Sequence, residues 1–302
     1  MPNTSPPRNV IYYSSRANPI PLAGISKLPY TDVIVGFLIA ADPDNGNFDL
    51  VGDGGAFDDS LRSNIQQLKN AGQNVLISLG GEVSTPSPGH PGFPSAAWRH
   101  YAEDVGGLVD QVVRFVTSYG FSGVDIDFED DSGFTDPGTP GAPPLWDGVT
   151  FLVSLTNGLA QKLPPEQGII THAPAPPYWD PQGGYNNAYT KIWRQAGNQI
   201  TWFNNQFYNN PGYDAPASVK ISKYNNIADL TGAQQQLLGA PVTAAGASDN
   251  GEGYLPVGQL ITDVIGPLQT AWGKEFGGVM GFEFALDDGG AWASQIGQAL
   301  GQ

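Results

Sequence analysis

Short runs of β-branched and aromatic residues alternate with amphipathic stretches from one end of this chain to the other, and that alternation narrows the available folds most. Residues 10–13, 33–39, 75–79, 124–128 and 168–173 read as five strands. A sixth lies within 199–208, a seventh at 237–242 and an eighth at 279–285. Between them, Leu61, Ile65 and Leu68 share a helical face behind the capping sequence Asp58-Asp59-Ser60. Val105, Leu108, Val109, Val112, Val113 and Val116 recur at helical spacing until Gly120, and Leu152, Leu155, Leu159 and Leu163 until Pro164-Pro165. Leu260, Ile261, Val264 and Leu268 mark a helix interrupted near Gly266-Pro267. Strands alternating with helices over the whole length predict an α/β protein, a single (β/α)8 TIM barrel. Residues 1–8 are expected to be a flexible N-terminal segment and 9–302 the barrel itself. An open doubly wound sheet is the competing architecture, but no GxGxxG or GxxxxGK loop follows the first strand, which weighs against nucleotide binding.

Charge and composition remove further classes. Acidic residues outnumber basic ones 29 to 13, a net charge of −16. Such a field repels phosphate backbones and anionic lipid, so neither nucleic acid nor a membrane is expected as a partner. The chain has no cysteine, which excludes disulfides and thiol nucleophiles. His90, His100 and His172 show no convergent spacing, so no metal or other cofactor is expected. His172 reads as a core or supporting residue rather than a catalytic one. Ser14, Ser15 and Ser78 lack a demonstrable His–Asp partner, which argues against serine hydrolysis. The first residues carry no basic-then-apolar leader, and no apolar run reaches the roughly 18 residues of a membrane span.

The chemistry is concentrated in Ser122-Gly123-Val124-Asp125-Ile126-Asp127-Phe128-Glu129. On a strand, Asp125, Asp127 and Glu129 point to one side, about 7 Å apart, and Val124, Ile126 and Phe128 to the other. Three carboxylates stacked on a buried strand raise one another's pKa or share protons. Protonation of a glycosidic leaving oxygen needs a carboxylic acid kept in that state. Glu129 stands at the strand's C-terminal end, where barrel active sites lie. A Ca²⁺ or Mg²⁺ site is the competing reading, against which no turn wraps the acids.

This run resembles the signature of glycoside hydrolase family 18, with Gly123, Asp125, Asp127 and Glu129 matching and Ser122 departing from it. Ser78-Leu79-Gly80-Gly81 is similar to the family's SxGG motif, and Gln206-Phe207-Tyr208-Asn209-Asn210 to the QFYNN of hevamine-type chitinases. The resemblance implies a retaining, substrate-assisted reaction, with Glu129, Asp127, Asp125 and Tyr208 as its catalytic residues. It also implies that Tyr12, Phe37, Gly80, Gly81, Gln206, Asn209 and Phe282 contact substrate. Trp146 and Trp179, in loops after the fourth and fifth strands, are expected to offer stacking platforms for sugar rings. The implied partner is an N-acetylglucosamine oligosaccharide or polysaccharide, cut by a monomer acting outside the cell. Family chitinases usually carry Trp where Phe282 stands. This keeps two alternatives open, an endo-β-N-acetylglucosaminidase cutting the chitobiose core of N-glycans and a lectin on the same barrel.

Overall fold

The computed structural model describes residues 5–14, 20–53, 56–82, 93–247 and 251–302. Ser15 and His90 lie outside them. Among the described residues nine strands form one sheet: β1 (Arg8–Tyr13), β2 (Asp32–Asp42), β3 (Asn47–Gly52), β4 (Asn74–Gly81), β5 (Gly123–Phe128), β6 (Ile169–His172), β7 (Trp202–Gln206), β8 (Gln236–Pro241) and β9 (Gly278–Phe282). Their order is β1-β9-β8-β7-β6-β5-β4-β2-β3, and β1 also pairs with β2, so the sheet closes on itself as an eight-stranded parallel barrel. β3, which the alternation did not foretell, hangs antiparallel on the far end of β2.

Helices follow the strands: α1 (Leu61–Asn70), α2 (Ser95–Glu103), α3 (Val105–Tyr119), α4 (Gly148–Lys162), α5 (Ala188–Ala196), α6 (Ala217–Thr231), α7 (Val257–Leu260), α8 (Gly266–Trp272) and α9 (Ala291–Leu300). α1 buries Leu61, Ile65 and Leu68. Its capping oxygen comes from Asp58, which accepts from the Ser60 N–H at 2.7 Å, while Ser60's own side chain makes no cap bond. α3 ends at Gly120, whose φ of 83° suits glycine alone. The interruption near Pro267 takes the form of a π turn, Ile261–Ile265, between α7 and α8. Proline has no N–H to offer the carbonyl four residues back, and the wider turn absorbs the defect.

Two compact units divide the chain. One holds Gly36–Asp53 and Leu76–Thr201, and the other Asn3–Val35, Gly54–Val75 and Trp202–Gln302, each within the described residues. The first contains β5, β6 and α2–α5. On β5, Phe128 points to the helix side and packs its ring 4.9 Å from Trp98 and 5.1 Å from Phe134.

In the second unit a buried ion pair ties together strand starts. β1 opens at Arg8, one residue inside the stretch expected to be flexible, and Arg8 is 2% exposed. Its Nη1 donates to both Asp32 oxygens, at 3.1 and 2.9 Å, and its guanidinium lies 3.9 Å over the Trp202 ring. Asp32 also accepts from Asn74 Nδ2 at 2.7 Å and Thr31 Oγ1 at 2.6 Å, so both its oxygens are occupied. Removing one partner strands the other charge in a dry site, which costs about 3–5 kcal/mol. Asp32→Ala should therefore lower the thermal midpoint by many degrees in calorimetry. An unchanged midpoint would show that the pair carries no stability.

Candidate active site

The floor of the site is a row of three side chains set by strand register. Ser78 of β4 lies opposite Asp125 of β5, which lies opposite Thr171 of β6. All three are fully buried. Ser78 Oγ donates to Asp125 Oδ2 at 2.8 Å and Thr171 Oγ1 to Oδ1 at 2.6 Å. Two residues along, Asp127 is 4% exposed, and Glu129, just past the end of β5, is half-buried. The three acids thus run from the interior to the rim of one unit.

Two residues past Ser78, a glycine lets β4 close on the main chain of β5. Gly80, φ 110°, lies opposite Asp127, and a Cβ there would collide with the Asp127 carbonyl oxygen and stand 2.7 Å from the Trp98 ring. Gly81, φ 98°, would bring a Cβ to 3.4 Å from the ring of Phe37, which is half-buried. Phe37 is held where β2 splays, exchanging main-chain bonds with Asp53 at 2.5 and 2.7 Å.

Several neighbours of the acids carry no local sequence signal. Tyr189 of α5 is fully buried, and burial, then the charges of Asp127 and Asp125, push its hydroxyl pKa well up. That hydroxyl lies 3.3 Å from Nδ1 of His172, whose Nε2 lies 3.1 Å from Thr156 Oγ1. Thr156 already donates to the Leu152 carbonyl at 2.6 Å, so it accepts from Nε2–H, and Nδ1 accepts from Tyr189. His172, level with Ile126 on the helix side of β6, is a supporting residue; burial lowers its pKa to about 3 and keeps it neutral. Tyr178 Oη donates to Asp131 Oδ1 at 2.7 Å. Burial raises Asp131's pKa, against the hydrogen bonds from Tyr178 and Tyr185. Burial and then Asp131 raise the Tyr178 hydroxyl, and the Glu129 charge adds to this.

The two tryptophans differ in their surroundings. Trp146 packs 5.9 Å from Phe128 and 5.6 Å from Phe151, and its Nε1 donates to Ser132 at 3.0 Å. It therefore follows the helix side of β5, opposite to the acids, and lines a cavity of about 430 Å³ with Arg99, Glu103 and Thr150. Trp179 is 4% exposed and packed on Tyr189, a wall residue rather than an open platform. Phe128 thus holds one indole, which stays half-buried, and Tyr189 the other, which is buried.

The remaining expected residues belong to the second unit. Phe282 ends β9, its ring 5.8 Å from Tyr12 and stacked 6.2 Å from Tyr208 at 21°. β7 stops at Gln206, so Tyr208 and Asn209 lie on the loop beyond it and not on the strand. Asn209 has a left-handed φ of 57°, which no strand continues through. Ser14 Oγ donates to Glu283 in a short hydrogen bond. Among the described residues no group of three or more His, Cys, Asp or Glu is disposed to hold a metal ion. No described helix is long and apolar enough to cross a membrane.

Two outcomes are expected. Gly80→Ala should abolish activity and cost well over the roughly 1 kcal/mol expected of Gly120→Ala, whose site is open; urea midpoints of the two variants compare them. For His172, the folded pKa of about 3 lies below the unfolded value near 6.5, so its stabilising contribution is lost as pH falls below 6.5. The loss should reach about 3 kcal/mol by pH 4. A His172→Gln variant should lose correspondingly less between pH 7 and 4, and equal losses in the two proteins would exclude this origin.

Known proteins resemble this chain in sequence and fold. The model for glycosyl hydrolases family 18 matches residues 8–250. Chitinase D of Niallia circulans is 30% identical over 165 residues, 50% of this chain and 28% of that protein. Chitinase Chi52 of Paenibacillus xylanexedens is 29% identical over 163 residues, 49% of this chain and 27% of that one. The matches thus span little more than a quarter of these curated relatives' length. A solved GH18 chitinase from Pseudoalteromonas aurantia is 36% identical, with a TM-score of 0.83, covering 97% of this chain and 100% of its own. A fungal endo-β-N-acetylglucosaminidase of the same family, 22% identical with a TM-score of 0.68 over 97% of this chain and 98% of its own, shares the fold. With a family match over most of its length and a whole-chain counterpart at 36% identity, this chain belongs to glycosyl hydrolases family 18.

Proposed function

We propose that the protein hydrolyses β-1,4 linkages in N-acetylglucosamine-containing glycans, chitin or chito-oligosaccharides, by a retaining, substrate-assisted mechanism. The observation that carries the reading is the graded acid row: Asp125 sealed between two hydroxyls, Asp127 nearly buried, Glu129 half-exposed. Glu129 protonates the glycosidic oxygen. The substrate's own acetamido carbonyl attacks the anomeric carbon, giving an oxazolinium ion and the departing alcohol. Asp127 takes the acetamide N–H and balances the positive charge. Asp125, with both oxygens engaged, keeps Asp127 poised. Tyr208 donates to the acetamido oxygen and holds it in line. Water, deprotonated by Glu129, then opens the oxazolinium ion with net retention.

The chitin side of the reading is supported by the whole-chain similarity to a GH18 chitinase. A neutral polysaccharide also suits a protein of net charge −16, and the reading places a monomer acting on such a polymer outside the cell. Phe282 favours a second reading. A benzene ring stacked on Tyr208 gives a smaller floor than an indole, which suits the branched core of an N-glycan.

Mass spectrometry of chitohexaose, a high-mannose glycopeptide and cellohexaose, each incubated with the wild type and with Glu129→Gln, separates these. We expect chitohexaose to shorten, cellohexaose to stay intact for want of an acetamido group, and the variant to be slower by about 10²–10⁴-fold. Glycan release leaving one N-acetylglucosamine on the peptide would transfer the assignment to the endoglycosidase. Binding without cleavage would make the protein a lectin.

A further inference from the structure

The segment that carries Tyr208 is held by its main chain from three directions. Asn210 Nδ2 donates to the carbonyls of Gln206 at 2.9 Å and Tyr208 at 2.7 Å, and the Asn210 N–H donates to Asp214 Oδ2 at 2.8 Å. The Asn209 N–H donates to the Glu252 carbonyl at 3.3 Å. Gly253 lies so near that a Cβ there would stand 2.7 Å from both the Phe207 oxygen and Tyr208 Cα. The third hold is Lys220, in the first turn of α6 and fully buried. Its ammonium donates to the Phe207 carbonyl at 2.6 Å and the Gly253 carbonyl at 2.8 Å. Burying an ammonium costs several kcal/mol where an apolar side chain would cost nothing, so a charge at this point calls for a role.

We propose that Lys220 is a positioning residue for Tyr208, clamping the loop after β7 to the 251–255 segment so that the phenol is fixed for the acetamido group. This rests on the role assigned to Tyr208 above. The geometry supports it directly, since Phe207 precedes Tyr208 and its carbonyl is one of the two that the ammonium grips.

The clamp has a pH signature. The titratable groups of the elements around it are Tyr208, Tyr213 and Asp214 on the loop after β7, Glu252 and Tyr254 on the facing segment, Lys223, Tyr224 and Asp229 on α6, and Asp263 on the turn packed against α6. Of these, Asp214, 4% exposed, acts on the ammonium. Burial lowers Lys220's pKa to about 8, and Asp214 opposes the shift. A lysine with a folded pKa below its ordinary 10.5 binds fewer protons folded than unfolded between pH 8 and 10.5, so stability rises through that window. The grip changes the other way, because bonds from a neutral amine to the two carbonyls are weaker than charge-assisted ones. Turnover should therefore fall above pH 8 while the fold becomes more stable, which a purely structural lysine would not produce.

The test is kcat, KM and thermal midpoint on a soluble chito-oligosaccharide from pH 6 to 10, for the wild type, Lys220→Met and Tyr208→Phe. Lys220→Met should lower kcat about 10- to 100-fold with little change in KM. It should also abolish both the alkaline loss of kcat near pH 8 and the rise in midpoint. Because the chain has no cysteine, Lys220→Cys alkylated with 2-bromoethylamine while unfolded, then refolded, restores an ammonium there and should recover turnover. Wild-type kcat and an unchanged alkaline limb in Lys220→Met, with Tyr208→Phe impaired, would overturn the positioning role alone. Full activity in Tyr208→Phe would overturn the role of Tyr208 and this proposal with it.

Discussion

Asp125 is sealed from water, and both its oxygens are met by hydroxyls from the neighbouring strands. A buried carboxylate without donors is costly, and each hydrogen bond to a charged group returns about 1.5–3 kcal/mol. The donors therefore decide whether the acid row can exist. Parallel register leaves few positions able to supply them. Ser78 and Thr171 lie directly opposite Asp125, so a hydroxyl at each point meets the need without bending a strand. The next inward position on β4 is Gly80, opposite Asp127, where the absence of a side chain lets the two strands close. The small-residue motif and the acid motif are two halves of one packing solution.

The same strand shows why its other face matters. Phe128 alternates with the acids and is enclosed by Trp98, Phe134, Trp146 and Phe151. That aromatic layer fixes β5 against the helices. The carboxylates then face the interior from a strand that cannot shift its register, since a one-residue slip would exchange the acids for Val124, Ile126 and Phe128. The site's rigidity is thus drawn from the helix layer as much as from hydrogen bonds around the acids.

This division explains what could be read from the sequence. Gly80 and Gly81 were singled out only by the family pattern, whereas strand alternation is local, so the acids' shared side and the eight barrel strands were legible. The partners were not. Ser78 and Thr171 reach Asp125 across 47 and 46 residues, and only the family pattern pointed to the first of them. Tyr178, Tyr189 and Asp131 enter from loops and a helix whose composition announces nothing. β3 was missed because its half-exposed alternation is short and hangs from the far end of another strand. Nor does loop composition, which reports exposure of a segment, give the packing of Trp146 on Phe128 or of Trp179 on Tyr189.

The two buried cations of the second unit show how side-chain chemistry separates stability from function. At the strand starts, Arg8 pairs with Asp32 and stacks on Trp202. A planar guanidinium can bond a carboxylate and stack on an indole at once, which suits a fixed joint. Beyond the end of β7 the cation is Lys220, gripping main-chain carbonyls with its pKa lowered to about 8. A lysine's compact ammonium fits between two carbonyls where a planar fork would not, and that fit brings titration within reach of ordinary conditions. The segment bearing Tyr208 is therefore organised by a group whose charge is conditional, while the strand starts are closed by an ion pair stacked on an indole. On this view, changes at the Arg8 joint should alter how much folded protein there is, and changes at Lys220 how well each folded molecule turns over.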